Sequence, residues 1–333
     1  MKISLLGIHS GCADEGMKVV TLHLRQELSK HQDVLPLYQR GVLSHEALCK
    51  LRDFDPHIIH SVHGPTIRTF ILMKILKGTC GKAKTVISAL QPHVSGISKA
   101  LVKILKPDLI LAQSYESEDF FVRLGCIVDF LPNGVDVQKF SPVSEETKKE
   151  FRDKYGIDKD KFIILHVGPI RRNRNLRILA AMQEQIGGQV IVVGSTSLAP
   201  DAETVANLKK SGCIVWQKYL PNIEEIYAMS DCYVFPTVDK NGSIELPLTV
   251  MEAMACNLPV ISTEFRALPR LFSEGNGLFF VRKENNVIEK LRQARKEAEV
   301  KTREKVLPYS WGEVAKKLEE IYGRIIEDGK RDL

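Results

Sequence analysis

The residues most able to do chemistry are concentrated between positions 244 and 261. The run reads Ile-Glu-Leu-Pro-Leu-Thr-Val-Met-Glu-Ala-Met-Ala-Cys-Asn-Leu-Pro-Val-Ile. Pro247 suits a first helical turn, where its missing N–H costs nothing. Leu248, Val250, Met251, Met254 and Ala255 follow at helical spacing. Asn257 can take the left-handed conformation that ends a helix, and Pro259 forbids its continuation. The amides of Leu248, Thr249 and Val250 would then leave a helix start and suit an anion. Glu252, close by, suits neutral hydroxyls. Together they describe a site for a phosphorylated ligand that carries a sugar.

A second cluster supplies positive charge. Gly168-Pro169-Ile170-Arg171-Arg172-Asn173-Arg174 follows an apolar run and precedes a helical one. Three arginines in four positions at a strand end suit a diphosphate through charge-assisted hydrogen bonds. The plainer alternative is a basic loop that caps a helix. Gly11 to Gly16 lie between a first strand and a first helix, where backbone amides can meet a phosphate, although an ordinary turn serves equally. Gly16, which opens the helix, is the better ligand candidate there. His57, His60 and His63 look like a metal set, but period-two geometry turns His60 away from the other two, so zinc is not expected. His63 and His93 both end apolar runs and so suit a ligand cleft. Asp158-Lys159-Asp160 precedes an apolar run instead of following one and reads as solvated linker; no metal or other cofactor is expected.

The 244–261 segment resembles the Glu-x7-Glu block of the retaining family 4 ("group 1") glycosyltransferases, which have the GT-B fold. Pro132-Asn133-Gly134-Val135-Asp136, with Phe140 and Pro142 after it, is similar to that family's other signature. The resemblance extends over nearly the whole chain. It implies a nucleotide-diphosphate sugar as donor substrate, with Glu252 on the ribose hydroxyls and a cleft histidine, best matched by His93, close to the transferred sugar. The first glutamate of the block falls on Ile244, so Glu245, one position late, is the candidate for the donor sugar. Leu246 and Pro247 replace the family's glycines. In the arginine loop Arg174 matches the family's lysine, whereas Pro169 stands where it has an arginine, leaving Arg171 or Arg172 as substitutes. The resemblance further implies front-face transfer, in which the leaving diphosphate takes the acceptor's proton.

Elements able to position these groups are readable along the chain. Its 333 residues exceed one ordinary core and fit two domains. Hydrophobic content of 44% and charged content of 26% are those of a globular protein. Short β-branched runs alternate with amphipathic stretches, which indicates βα units and parallel sheets. Strands are expected at 2–7, 33–37, 57–62, 84–89, 108–112 and 127–131, then at 162–168, 190–194, 232–236, 259–262 and 278–280. Helices are expected at 16–31, 66–78, 285–300 and 312–328, with residues 137–160 as linker. Gly134 is expected to supply a positive φ in the turn before that linker. The reading is α/β: two doubly wound, Rossmann-like domains facing each other across a cleft. Residues 1–145 would bind the acceptor and 146–333 the nucleotide sugar, with the last helix free to pack back on the first domain.

Seven cysteines without a Cys-x-x-Cys pair argue against a disulfide framework. No apolar run is long enough for a signal peptide or a membrane span, so a cytoplasmic protein is expected. Lysines at 74, 77, 82, 84, 99, 103 and 106 surround apolar residues in the first half and suit an anionic membrane surface bearing a lipid-linked acceptor. Core-facing stripes with solvated lysines are the plainer account. Nucleic acid is not an expected partner. The expected function is hexosyl transfer from a nucleotide-diphosphate sugar to a sugar or lipid-linked acceptor. The departures at Ile244, Pro247 and Pro169 motivate an alternative, a GT-B protein that binds a nucleotide sugar or a partner without transfer.

Overall fold

The computed structural model describes residues 1–10, 15–93, 99–282 and 286–331. The chain forms two compact units. The first holds Met1–Gly134, the short insert Ile244–Leu246 and the helix that begins at Trp311; the second holds Val135–Ser243 and Pro247–Ser310.

In the first unit, strands β1 (Lys2–Gly7), β2 (Asp33–Tyr38), β3 (Ile58–Ser61), β4 (Lys84–Ser88), β5 (Leu109–Ala112) and β6 (Val128–Phe130) alternate with helices. These are α1 (Gly16–Leu28), α2 (His45–Phe54), α3 (Ile67–Thr79), α4 (Lys99–Leu105) and α5 (Tyr115–Arg123). All pairings are parallel, in the order β2-β1-β3-β4-β5-β6. Continuous apolar runs form the strands because helices cover both faces of such a sheet. Leu6, Ile59 and Ile87 are buried with Leu51, Met73 and Leu76, while Ile110 is buried with Phe70 and Val102.

The second unit repeats the plan. It contains α6 (Glu145–Lys154), β7 (Ile163–Val167), α7 (Arg177–Ile186), β8 (Gln189–Val193), α8 (Ala202–Lys210), β9 (Ile214–Trp216) and α9 (Ile223–Ala228). It continues with β10 (Cys232–Phe235), α10 (Leu248–Ala255), β11 (Val260–Thr263), α11 (Leu268–Leu271), β12 (Leu278–Val281), α12 (Val287–Ala294) and α13 (Thr302–Val306). The strand order is β12-β11-β10-β7-β8-β9, so connectivity reverses between β7 and β10. In such sheets ligands sit at the carboxyl ends of the strands flanking that reversal. In the first unit the corresponding reversal lies between β1 and β3.

The last helix, α14 (Trp311–Arg331), packs on α1 of the first unit. The Tyr322 hydroxyl is hydrogen-bonded to Nδ1 of buried His60 at 2.6 Å, and His60 Nε2 meets Ser88 Oγ at 2.8 Å. Burial pushes the His60 pKa down to about 3, so the ring is neutral. Trp311 stacks on His23 with ring centroids 4.9 Å apart.

The structure corrects two expectations about local structure. Residues 137–160 are not linker throughout: α6 forms there because Ser144 accepts from the Thr147 amide, acids occupy its first turn and bases its last. Buried Arg152 pins that helix to Asp231 at 2.7 Å. Gly134 is not in a positive-φ conformation. It is glycine for space, because a Cβ there would stand 2.5 Å from the Trp311 ring.

Gly134→Ala is therefore expected to cost about 1–3 kcal/mol of stability. Thermal unfolding reads this as a lowered Tm, and an unchanged Tm would refute the close-contact account.

Candidate functional site

The second unit gathers most of the residues singled out above. β7 is followed by Gly168, whose φ of +145° disfavours any other residue, and a Cβ there would lie 2.7 Å from Nη1 of Arg174. The missing side chain thus gives the Arg174 guanidinium its place at the carboxyl end of β7. The chain returns through a 3-10 turn at Arg172–Arg174, Asn175 takes the left-handed conformation, and α7 follows. Arg174 is 3% exposed, and burial pushes its pKa down to about 10. Its guanidinium lies over the Phe235 ring, 5.5 Å from the centroid. Among the described residues its side chain has no hydrogen bond and no acidic partner, and its Nε is buried without one. A buried cation in that condition is costly until an anion arrives.

The surroundings are arranged not to compete with that charge. His166, on β7, donates from Nδ1–H to the Val234 carbonyl at 2.8 Å. Burial, then Arg174, hold its pKa at about 3, so it adds no positive charge. Its Nε2, Asn173 Oδ1 and Thr237 Oγ1 are also buried without partners among the described residues. Such polar atoms want a ligand or water.

The helix start belongs to the same constellation. Pro247 is the N-cap of α10, one position before the first helical turn, and no side chain caps it. The Val250 amide turns back to the Pro247 carbonyl at 3.2 Å, so only Leu248 and Thr249 present amides without a protein acceptor among the described residues. The Thr249 side chain is hydrogen-bonded to the Tyr233 phenol, whose hydroxyl also donates to the Val167 carbonyl at 3.4 Å. Arg174 lies close enough to Tyr233 to favour its ionised form, against the larger opposing effect of burial. Tyr233 therefore links the α10 start to the arginine. Tyr227, 5.8 Å from Tyr233 between ring centroids, donates to Glu252 Oε2 at 2.8 Å. Oε1 of Glu252 has no partner among the described residues. Burial raises the Glu252 pKa to about 7, opposed by Tyr227 and by Lys139.

Other candidates fall elsewhere. Arg172 is turned into solvent on Asp201 (3.0 Å) and Glu203, so its charge is already balanced. Arg171 is exposed and has no ion pair among the described residues. Glu245, expected at a donor sugar, lies in the first unit with no exposure. Its Oε2 accepts from the Ser114 amide at 3.1 Å and the Ser117 hydroxyl at 2.8 Å, and its Oε1 from the Ser114 hydroxyl at 3.1 Å. The carboxylate is thus spent on the N-terminus of α5, a favourable place for negative charge. The segment is held by Glu245 N–H on the Leu90 carbonyl (2.7 Å) and by buried Asn133 on the Leu246 carbonyl (2.8 Å). Ile244 packs there too, and a Cβ on Gly16 would meet its Cδ1 at 3.0 Å. Gly16 opens α1 as expected; Gly11 to Asp14 lie outside the described residues.

His93 is exposed, and its amide bonds to the Pro65 carbonyl at 3.0 Å. His63, after β3, is more deeply placed: burial lowers its pKa, and its Nδ1 has no partner among the described residues. Sequence reasoning missed Tyr227, Tyr233 and His166. The available signal was polar side chains inside apolar strand or helix runs, which must find partners once buried.

Residues 161–297 match the family described as "Glycosyl transferases group 1". EpsD of Bacillus subtilis, described as a glycosyltransferase, is 22% identical over 248 residues, covering 73% of this chain and 61% of EpsD. A GDP-mannose-dependent monoacylated phosphatidylinositol monomannoside mannosyltransferase of Corynebacterium glutamicum is 26% identical over 163 residues, 45% of this chain and 42% of that protein. The chain spans about half the length of the relatives it matches. Sucrose-phosphate synthase of Thermosynechococcus elongatus superposes with a TM-score of 0.77 at 17% identity, covering 98% of this chain and 99% of that one. HepE of Anabaena, solved with UDP, gives 0.74 at 15% identity, covering 97% and 100%. The fold is GT-B, and the resemblance to group 1 glycosyltransferases read from the two sequence blocks holds.

Two outcomes follow from the carboxylates. Raised from 4.5 to about 7, Glu252 keeps a proton in the fold that the unfolded chain loses, so its ionisation weakens the fold as pH rises through 7. Glu252→Gln should raise Tm more at pH 8 than at pH 5; an equal change at both would contradict the shift. Glu245→Ala strands the donors of α5 and should cost about 2–4 kcal/mol, read as a lowered denaturant midpoint.

Proposed function

We propose that the chain is a glycosyltransferase whose second unit holds a nucleotide-diphosphate sugar. The observation that carries this reading is the buried Arg174 guanidinium without an acidic partner, joined through Tyr233 to the open amides of Leu248 and Thr249. Diphosphate oxygens satisfy all three, and Arg171 at the rim adds a second cation. Oε1 of Glu252 accepts from ribose hydroxyls, as the family resemblance implies. HepE was solved with UDP, which supports a nucleotide diphosphate as the class of ligand. The acceptor, a glycan or lipid-linked sugar, is assigned to the first unit, on the strand ends that carry His63 and His93.

Transfer is proposed to retain anomeric configuration and to use no metal. The bond from the hexosyl C1 to the β-phosphate oxygen breaks, and the acceptor oxygen bonds to C1 from the same face. The acceptor's proton passes to the departing diphosphate. Arg174 and the two amides stabilise the charge that develops on that leaving group.

One observation favours a second reading, in which the donor binds but is not transferred: Glu245 is committed to α5 and Ile244 carries no charge, so neither supplies an acid to the donor sugar. Incubation with a panel of nucleotide sugars separates the two. Release of free nucleoside diphosphate and a same-configuration product by NMR support transfer; binding with no release supports the second reading.

Arg174→Met should weaken nucleoside-diphosphate affinity by about 2–4 kcal/mol while leaving Tm equal or higher, since an uncompensated buried charge is replaced by an apolar chain. Calorimetric titration with thermal unfolding checks both. Unchanged affinity would remove the assignment.

A further inference from the structure

Around the carboxyl ends of β7 and β10 and the start of α10, the polar atoms without partners among the described residues are of two chemical kinds. Arg174 Nε and the amides of Leu248 and Thr249 can only donate. His166 Nε2 and Asn173 Oδ1 can only accept, and Thr237 Oγ1 can do either. The ionised diphosphate of a nucleotide sugar has oxygens but no hydrogen to give. It satisfies the donors and leaves the acceptors as costly as before.

His166 lies on β7 itself, whereas Asn173 and Thr237 lie in the loops beyond the strand ends, where ligands of such sheets bind. A Cβ on Gly242 would stand 2.6 Å from Thr237 Cγ2 and 3.1 Å from the Asn173 carbonyl oxygen, so a glycine lets these two residues come together. The loop that carries Thr237 is pinned at several points. Asp239 takes the Asn241 amide on its carboxylate and the Gly242 amide on its carbonyl, both at 2.8 Å, and the Thr263 hydroxyl bonds the Thr237 carbonyl. Thr237 is wholly buried, and Asn173 turns its side-chain oxygen into buried space one residue before Arg174.

We propose that Asn173 and Thr237 form the subsite that holds and selects the transferred sugar, with Asn173 Oδ1 and Thr237 Oγ1 accepting from its hydroxyls. A nucleotide sugar carries alcohol hydroxyls in two places, the ribose and the sugar. Glu252 Oε1 is assigned to the ribose, Glu245 is bonded to α5, and Ile244 has no polar side-chain atom, so the sugar is left with these two acceptors. The subsite presupposes that the second unit holds a nucleotide sugar, the reading proposed above. A site built to accept from a hydroxyl discriminates strongly against a ligand that lacks it, because the buried acceptor is then stranded.

The test is calorimetric titration of the full chain with UDP and GDP, and with a panel of UDP-hexoses and GDP-hexoses. The quantity read is the gain, the Kd of the nucleoside diphosphate divided by that of its tightest-binding nucleotide sugar. Asn173→Leu and Thr237→Val should each cut the gain about three- to tenfold, while affinity for the nucleoside diphosphate alone stays at the wild-type value. Thr237→Val, which removes an unpartnered buried hydroxyl, should keep or raise Tm, and Thr237→Ser should keep the gain. Among analogues of that sugar with one hydroxyl at a time replaced by fluorine, one should bind the wild-type chain more weakly than the parent sugar yet bind Thr237→Val equally well. A purely structural role for Thr237 would not produce that pattern. Failure of both nucleoside diphosphates to bind overturns the donor-site reading and this one with it. Normal nucleoside-diphosphate binding with no gain in the wild-type chain, with a gain that neither variant changes (the acceptors then hold water only), or with variants that weaken the nucleoside diphosphate itself overturns the sugar subsite alone.

Discussion

A guanidinium that has left water without taking an acid with it constrains everything around it. Arg174 is buried at the carboxyl end of β7 because Gly168 leaves it room and Phe235 gives it a face to lie on. His166 is kept neutral beside it, and Tyr233 ties its neighbourhood to the start of α10. The parallel sheet reverses its connectivity between the two strands that carry these groups, so the fold itself delivers them to one place. An isolated cation of this kind weakens the unliganded fold and makes an anion the partner best able to restore the balance. Glu252 works against stability in the same way, its carboxyl raised by burial and waiting for donors. The site is strained electrostatically before any ligand binds, and this separates a binding constellation from an ordinary salt-bridged loop end such as that made by Arg172.

The loop between β10 and α10 shows how a motif can keep its place and change its work. In the block that resembles the group 1 signature, the second glutamate stays in the second unit. The acid nearest the first is buried in the first unit as an anion for the α5 amides. The one-residue offset matters because Ile244 fills the space beside Gly16 and turns Glu245 toward Ser114 and Ser117. The two carboxylates of the block are thus separated in this chain: Glu252 lies in the second unit and Glu245 in the first.

Much of the architecture was legible in the sequence because parallel strands buried on both faces read as continuous apolar runs. Eleven strands were expected close to their observed positions; β9, only Ile214–Trp216, was too short to stand out. The α6 helix was hidden by its polarity: it is anchored by Arg152 and Asp231, not by an apolar stripe, so periodicity carried little signal. Residue type and spacing singled out Glu252, Arg174 and Gly168, and the structure places all three in the second unit. The fates of Glu245 and Arg172 were not, since each depends on partners distant in sequence: Ser114 and Ser117 for one, Asp201 and Glu203 for the other. Gly134 was recognised as necessary for the wrong reason, because a close contact with Trp311 leaves no local trace.

The most direct measurement is a crystal structure of the chain with a nucleoside diphosphate. The account predicts diphosphate oxygens within about 3 Å of the Arg174 guanidinium and of the Leu248 and Thr249 amides, with a ribose hydroxyl on Glu252. A diphosphate bound elsewhere on the chain, with Arg174 still lacking an anion, would contradict it.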